Sequence, residues 1–301
     1  MADEVWRHDA LGASDAPAIV GVDPWRTAGD VWAEKTGRLP PRIEPDGIAD
    51  PRRFGQALEP VLVDYAAAKL GRPVARQVWY RHPAAPLACS VDAIALDADP
   101  AVLIEAKALG LFGPSPTAAA YGEDGTDEIH EATLIQVHHA FAVLDRQPDV
   151  PPVIGALVPV FLGGRGVRLY QVHRDDRLVA ELVDLETEWW ARHVDGDRCP
   201  PIDPPSLPTL AIMRRSADAP VRIMDTTLVA EWRAAKAILD QAEQNEQTCR
   251  RMVIAELRDG EVGECQIGRV TYRASVRPAH MVKETTVRSL RFKPYTEREV
   301  A

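Results

Sequence analysis

Two apolar, alternating runs occupy the middle of the chain, 87–96 (LACSVDAIAL) and 101–107 (AVLIEAK), separated by the polar stretch Asp97-Ala98-Asp99-Pro100. Period-two alternation around a turn-forming cluster predicts a β-hairpin. A strand near 76–81 precedes it, and 153–162 and 166–173 read as two further strands joined by Gly163-Gly164-Arg165. Helical spacing takes over elsewhere. Leu58, Val61 or Leu62, and Tyr65 share one helix face, as do Leu134, Val137, Phe141 and Leu144, and then Leu178, Leu182, Leu185 and Trp189. Thr27 is placed to cap a helix over 28–36 that Gly37 ends, and Gly71 stops the helix carrying Glu59. Pro60, inside that helix, predicts a local disruption. Ser14 and Asp15 stand where either can cap a short helix from Ala16 to Val20.

These elements predict an α/β domain with a central mixed sheet flanked by helices. Residues 110–127 are rich in Gly, Pro and small side chains and read as a mobile loop after the hairpin. Near residue 199 the composition changes. Pro200, Pro201, Pro204, Pro205 and Pro208 mark a semi-rigid linker or surface strap. Beyond it, 227–259 is a long amphipathic helix closed by Gly260, and 262–275 a short hairpin around Gly268. The expected organisation is a catalytic-type domain over 1–198, a Pro-rich linker over 199–226, and a helix with a basic hairpin region over 227–301.

The hairpin carries chemistry. Its turn brings Asp92 opposite Glu105, and side chains two apart on a strand share a face, so Glu105 and Lys107 point together towards Asp92. Two converging carboxylates repel and stay ionised only beside a cation. An all-oxygen site suits Mg²⁺ or Mn²⁺, which polarises a phosphoryl oxygen and lowers the pKa of a bound water. Taken alone, the same residues also fit a surface hairpin with an ordinary Glu/Lys pair.

Other positions extend the pattern. The stretch from Arg7 to Gly37, then Arg53 to Pro60 (RFGQALEP), Ser90-Val91-Asp92, Glu105-Ala106-Lys107 and Gln136 together resemble the YqaJ-type viral recombinase family. That family includes lambda exonuclease, within the PD-(D/E)XK nuclease superfamily, and the resemblance spans about residues 5–195. It implies a restriction-endonuclease-like core. Asp92 and Glu105 would be metal ligands, the Ala106 carbonyl and Glu59 would complete the set for one or two ions, and Lys107 would serve the attacking water. Arg7, Ser14, Ser90 and Gln136 stand where lambda-exonuclease-like members bind a DNA 5′-phosphate. Two positions depart from the family pattern. Val91 replaces a Pro, a benign change in a strand, and Ala140 stands where the helix often carries a Tyr, with His138 and His139 as neighbours that more often serve as solvated or core-edge residues.

On this resemblance the chain is a metal-dependent DNA exonuclease, 5′ to 3′ on double-stranded ends, making single strands for recombination. Members of the family work beside a single-strand annealing protein and as ring-like homo-oligomers, and both expectations carry over by similarity. A structure-specific or nicking endonuclease on the same core, and a catalytically weak DNA-end-binding adaptor, are the alternatives.

Composition bounds the reading. With 301 residues and 46% hydrophobic content, the chain is long enough for one large domain and an appendage. No apolar run approaches a membrane span and the first ten residues lack signal-peptide character, which predicts a cytoplasmic protein. Cys89, Cys199, Cys249 and Cys265 lie far apart, so neither a disulfide framework, a zinc site nor an iron–sulfur cluster is signalled. No Walker loop is present, so ATP is not expected. The net charge of −10 is unevenly spread, with eight basic residues against three acidic ones over 266–301. That segment can touch DNA or dock on the acidic remainder.

Overall fold

The computed structural model describes residues 8–39, 51–110, 113, 115–213 and 221–274. The chain divides into two units, Met1–Arg214 and Arg215–Ala301. In the first, a seven-stranded mixed sheet carries helices on its faces, the arrangement the hydrophobic pattern predicts.

The sheet is built around β3 (Leu87–Ala95). One edge of β3 takes β2 (Ala75–Arg81) antiparallel. The other takes the two-residue β1 (Leu11–Gly12) in parallel and, further along, β4 (Ala101–Ile104) antiparallel. β4 and β5 (Lys107–Leu109) lie in succession against one edge of β6 (Val153–Leu162), which pairs on its far side with β7 (Gly166–His173). The strand expected over 101–107 is therefore interrupted at Glu105 and Ala106. The Glu105 amide still donates to the Leu157 carbonyl, but the Ala106 amide turns to a side chain instead.

Helix α1 (Ala16–Val20) follows β1, and α2 (Ala28–Lys35) begins with the capping box that Thr27 promises. The Thr27 side chain accepts from the Asp30 amide while the Asp30 carboxylate accepts from the Thr27 amide. Helix α3 (Pro51–Leu70) runs through Pro60 as one element and ends at Gly71, whose φ of +68° suits glycine. The disruption expected at Pro60, which lacks an amide donor and crowds the carbonyl four residues back, does not end the helix, which continues to Leu70. On α4 (Glu131–Leu144) the stripe of Val137, Phe141 and Leu144 is buried as predicted. On α5 (Asp176–Trp189) the buried face is Val179, Leu182, Glu186 and Trp189, whereas Leu185 is exposed. The apolar stripe there is completed by a carboxylate, which the hydrophobic pattern did not include.

The proline-rich residues after 199 lie on α2 within the first unit. The Ala28 and Gly29 amides donate to Asp203, and the Ser206 amide donates to Asp30. A Cβ on Gly29 would fall 2.2 Å from the Pro205 nitrogen, so only glycine permits this approach. A short helix α6 (Leu207–Ile212) follows. In the second unit, α7 (Thr226–Glu256) precedes the antiparallel hairpin of β8 (Val262–Cys265) and β9 (Gly268–Thr271), close to the expected elements. Of the basic segment 266–301, residues 275–301 lie outside the described part. Among the described residues no helix is long and apolar enough to cross a membrane.

Candidate active site

The antiparallel ladder of β3 and β4 runs through Ala95↔Val102, Ile94↔Leu103 and Ala93↔Ile104, so its next rung is Asp92 with Glu105. That rung is closed by a side chain. Asp92 Oδ2 accepts the Ala106 amide at 2.8 Å, which accounts for the break between β4 and β5 and sets the two acidic residues on adjacent strands. Lys107 then folds back. Its Nζ lies 2.5 Å from Glu105 Oε1 and 2.8 Å from Gln136 Oε1. Gln136 Nε2 donates to the same Glu105 oxygen at 2.7 Å, closing a triangle of Glu105, Lys107 and Gln136 between strand and helix.

The electrostatics follow from burial. Glu105 is 5% exposed, and Asp92 is half-buried. Burial, then the Glu105 charge, pushes the Asp92 carboxyl up to about 8; Lys107 opposes the rise and Glu59 adds to it. Burial alone would lower the Lys107 pKa, but Glu105 and Asp92 outweigh it and hold the ammonium above its ordinary value.

Glu59 comes from α3. Val63 and Ala66 of that helix are buried against Ala93 and Ile104, the residues next to Asp92 and Glu105. Glu59 lies one turn before Val63, so the packing that seats α3 also brings a third carboxylate within electrostatic reach of Asp92.

Ser14 and Ser90 are both exposed and come two residues beyond the parallel pair Gly12↔Ala88. Ser14 lies in the turn that follows β1, and Ser90 continues along β3, where it pairs with Trp79 of β2. Arg7 lies outside the described residues. Asp15 does not cap α1 with its side chain. It accepts the Gly12 amide and is gripped by Lys35 Nζ at 2.7 Å and Arg26 at 2.9 Å. Burial opposes its ionisation, yet those two cations hold it well below the usual carboxylate range. This buried cluster fixes the turn that bears Ser14.

Neither histidine of α4 is solvated. His138 Nδ1 lies 2.9 Å from the Leu134 carbonyl while its Nε2 accepts the Asp175 amide. His139 Nδ1 lies 2.8 Å from Glu186 Oε2, and its Nε2 lies 3.0 Å from the Ala88 carbonyl, with no exposed surface on either side chain. Both rings are committed to core partners.

The loop expected to be mobile supplies a residue that sequence reasoning missed. Tyr121 is 5% exposed, its hydroxyl is 2.7 Å from Thr133 Oγ1 on α4, and its ring meets Tyr170 at 5.5 Å. Arg168 and the Tyr170 hydroxyl both donate to the Gly122 carbonyl, so this part of the loop is pinned to β7. Burial raises the Tyr121 pKa against the Thr133 hydrogen bond and the Lys107 charge, which lower it, while Tyr170 and Glu105 add to the rise. An aromatic residue amid glycine, proline and small side chains was the available signal.

A divalent cation is the group such an arrangement implies. Among the described residues, no three His, Cys, Asp or Glu side chains are gathered closely enough to hold a metal by themselves. The chemistry of the donor set is nevertheless compatible with one, since the side chains of Asp92 and Glu105 and the Ala106 carbonyl offer only oxygens.

Comparison with known proteins agrees with the motif order. The YqaJ-like viral recombinase domain matches residues 4–147. A relative in Bacillus subtilis (strain 168), described as an uncharacterized protein YqaJ, is 25% identical over 275 residues, 87% of this chain and 81% of its own length. Among solved structures, an alkaline exonuclease (LHK-Exo) from Laribacter hongkongensis aligns at 16% identity and a TM-score of 0.44, covering 64% of this chain and 93% of that one. A phage related exonuclease from Haemophilus somnus 129PT aligns at 13% identity and a TM-score of 0.39, covering 63% and 96%. Over residues 4–147, a span that includes Glu59, Asp92, Glu105, Lys107 and Gln136, the chain is thus similar to the YqaJ-like viral recombinase domain.

Proposed function

We propose that the chain is a metal-dependent DNA exonuclease that degrades double-stranded ends from 5′ to 3′ and leaves single strands for recombination. The observation that carries this reading is the closed cluster at the broken rung: Asp92 on the Ala106 amide, with Lys107 held between Glu105 and Gln136. A structural salt bridge needs neither the two nearby acidic side chains nor the glutamine that orients the ammonium.

Asp92 and Glu105, with Glu59 and the Ala106 carbonyl, would hold Mg²⁺ or Mn²⁺. When bound, the ion supplies Lewis-acid polarisation of a phosphoryl oxygen and a more acidic water. The protein's own groups do the rest. Lys107 presents a fixed positive charge where negative charge grows on the phosphoryl oxygens. Gln136 keeps that ammonium from swinging away; because both ends of its amide are engaged, its role is orientation, in place of the phosphate contact the resemblance implies. Water oxygen bonds to phosphorus as the bond from phosphorus to the 3′ oxygen breaks, and the departing oxygen takes a proton. The product is a 5′-mononucleotide and a shortened strand with a new 5′-phosphate. Arg7, Ser14 and Ser90 would receive that phosphate. A single-strand annealing protein and a ring-like homo-oligomer belong to the same reading by family resemblance.

The test is a linear duplex with 5′-phosphates and labelled 3′ ends, beside a closed circular duplex, each with and without Mg²⁺. Shortening of the linear duplex from its 5′ ends, only with metal, supports the reading. Cuts in the circle would assign an endonuclease instead, and retention of the DNA without loss an end-binding adaptor.

A further inference from the structure

Helix α7 spans 31 residues, about 46 Å at 1.5 Å per residue, and none of them is buried. Apolar residues on it are widely exposed, among them Leu228 at 60%, Leu239 at 51% and Val253 at 45%. Helices draw most of their stability from packing an apolar face, so this one is built for a partner.

The spacing says what kind. Leu228, Trp232, Ala235, Leu239, Ala242, Glu246, Cys249 and Val253 follow one another at alternating intervals of four and three residues, the seam of a coiled coil. Such a seam fits another helix with the same repeat. Duplex DNA is a poor occupant, because the helix bears five acidic residues against four basic ones.

We propose that α7 pairs with α7 of a second copy of this chain, antiparallel about a two-fold axis. That alignment sets Leu228 against Val253 of the second copy, Trp232 against Cys249, and Leu239 against Ala242, so each large side chain but the first meets a small one. Flanking the seam, Lys236 faces Glu243 of the second copy, and the axis repeats this opposite-charge pair. A parallel pair is worse on each count. It stacks Trp232 on Trp232 and forces Glu246 against Glu246. In the antiparallel pair Glu246 faces only Ala235, and its carboxylate is held by Arg250 of its own helix at 2.8 Å. The pairing does not depend on the nuclease reading.

Cross-linking of the full chain tests both the occupant and the direction. With Cys199, Cys249 and Cys265 replaced by Ser, Leu228→Cys and Val253→Cys are made as separate proteins and oxidised alone and as an equal mixture. Antiparallel pairing predicts a disulfide-linked dimer in the mixture and little in either protein alone, since like positions then lie about 38 Å apart. Self-linking of each variant, with none gained on mixing, would show a parallel pair and overturn the proposal. Absence of any link, with a monomeric mass by light scattering, would overturn it also and leave the seam to another segment or another protein. As a second measurement, Leu239→Glu should raise the dissociation constant of the α7 pair at least tenfold while the rest of the chain keeps its thermal unfolding midpoint.

Discussion

Lys107 Nζ lies 2.5 Å from Glu105 Oε1, two residues away along an interrupted strand, and a glutamine from the neighbouring helix grips both partners. The ammonium is thereby held in one position rather than swept through solvent. If it stabilises the reacting phosphate, Lys107→Ala should lower the rate of DNA cleavage by roughly a thousandfold or more while leaving end binding within a few-fold. Single-turnover cleavage and a DNA mobility shift measure the two separately. Gln136→Ala, which frees the ammonium without removing it, should lose less, about tenfold to a hundredfold. Equal losses in both variants would mean that Gln136 does more than orient.

The charge at Asp92 has a pH consequence. Its carboxyl rises from 3.8 to about 8 in the fold, through burial first and Glu105 second. The folded state therefore binds more protons than the unfolded one across that interval, and metal-free stability should fall as pH increases from about 4 to about 8. Asp92→Asn should flatten that slope. Urea unfolding in a chelating buffer, at several pH values, checks it. Cation binding should oppose the loss, so added Mg²⁺ should stabilise most near the upper end of the range.

Much of this arrangement was legible in the sequence. Strand alternation gave the boundaries of β6 and β7, and Thr27 and Gly71 marked helix ends because caps and left-handed turns are local chemistry. The nearness of Asp92, Glu105 and Lys107 is legible for the same reason: a hairpin relates them within few residues. What was hidden depends on distant partners. The break at Ala106 exists because a side chain on another strand takes its amide. Tyr121 has a place only once α4 offers Thr133, and Glu186 reads as a surface residue until His139 is set against it.

That last pair joins α5 to α4 and, through the Ala88 carbonyl, to the strand of Asp92. Burial would lower the His139 pKa, but the Glu186 carboxylate outweighs it and the net shift is upward. A histidine raised in this way contributes stability in full below its ordinary value of 6.5, and the contribution is lost as pH rises through the folded value. Removing one partner should cost about 3–5 kcal/mol, since it leaves the other buried and uncompensated. Denaturant midpoints for His139→Ala and Glu186→Ala should drop together, and the double variant should be less damaged than the sum. Full additivity would show that the two side chains do not act as a pair.

The phosphate expectation rests on register. Ser14 and Ser90 each come two residues after the paired residues Gly12 and Ala88, and both are exposed, Ser14 in the turn that Asp15, clamped by Lys35 and Arg26, fixes. Two hydroxyls are well suited to a terminal phosphate but add little to holding a duplex whose main attraction is charge. The Ser14→Ala, Ser90→Ala double variant should therefore lose about tenfold of its preference for a 5′-phosphorylated end over a 5′-hydroxyl end, with degradation of the hydroxyl substrate nearly unchanged. Competition between the two labelled duplexes in one reaction measures that ratio directly. A uniform loss on both substrates would place the serines in general strand contact, and an unchanged ratio would move the phosphate site elsewhere while leaving the Asp92, Glu105 and Lys107 cluster as it stands.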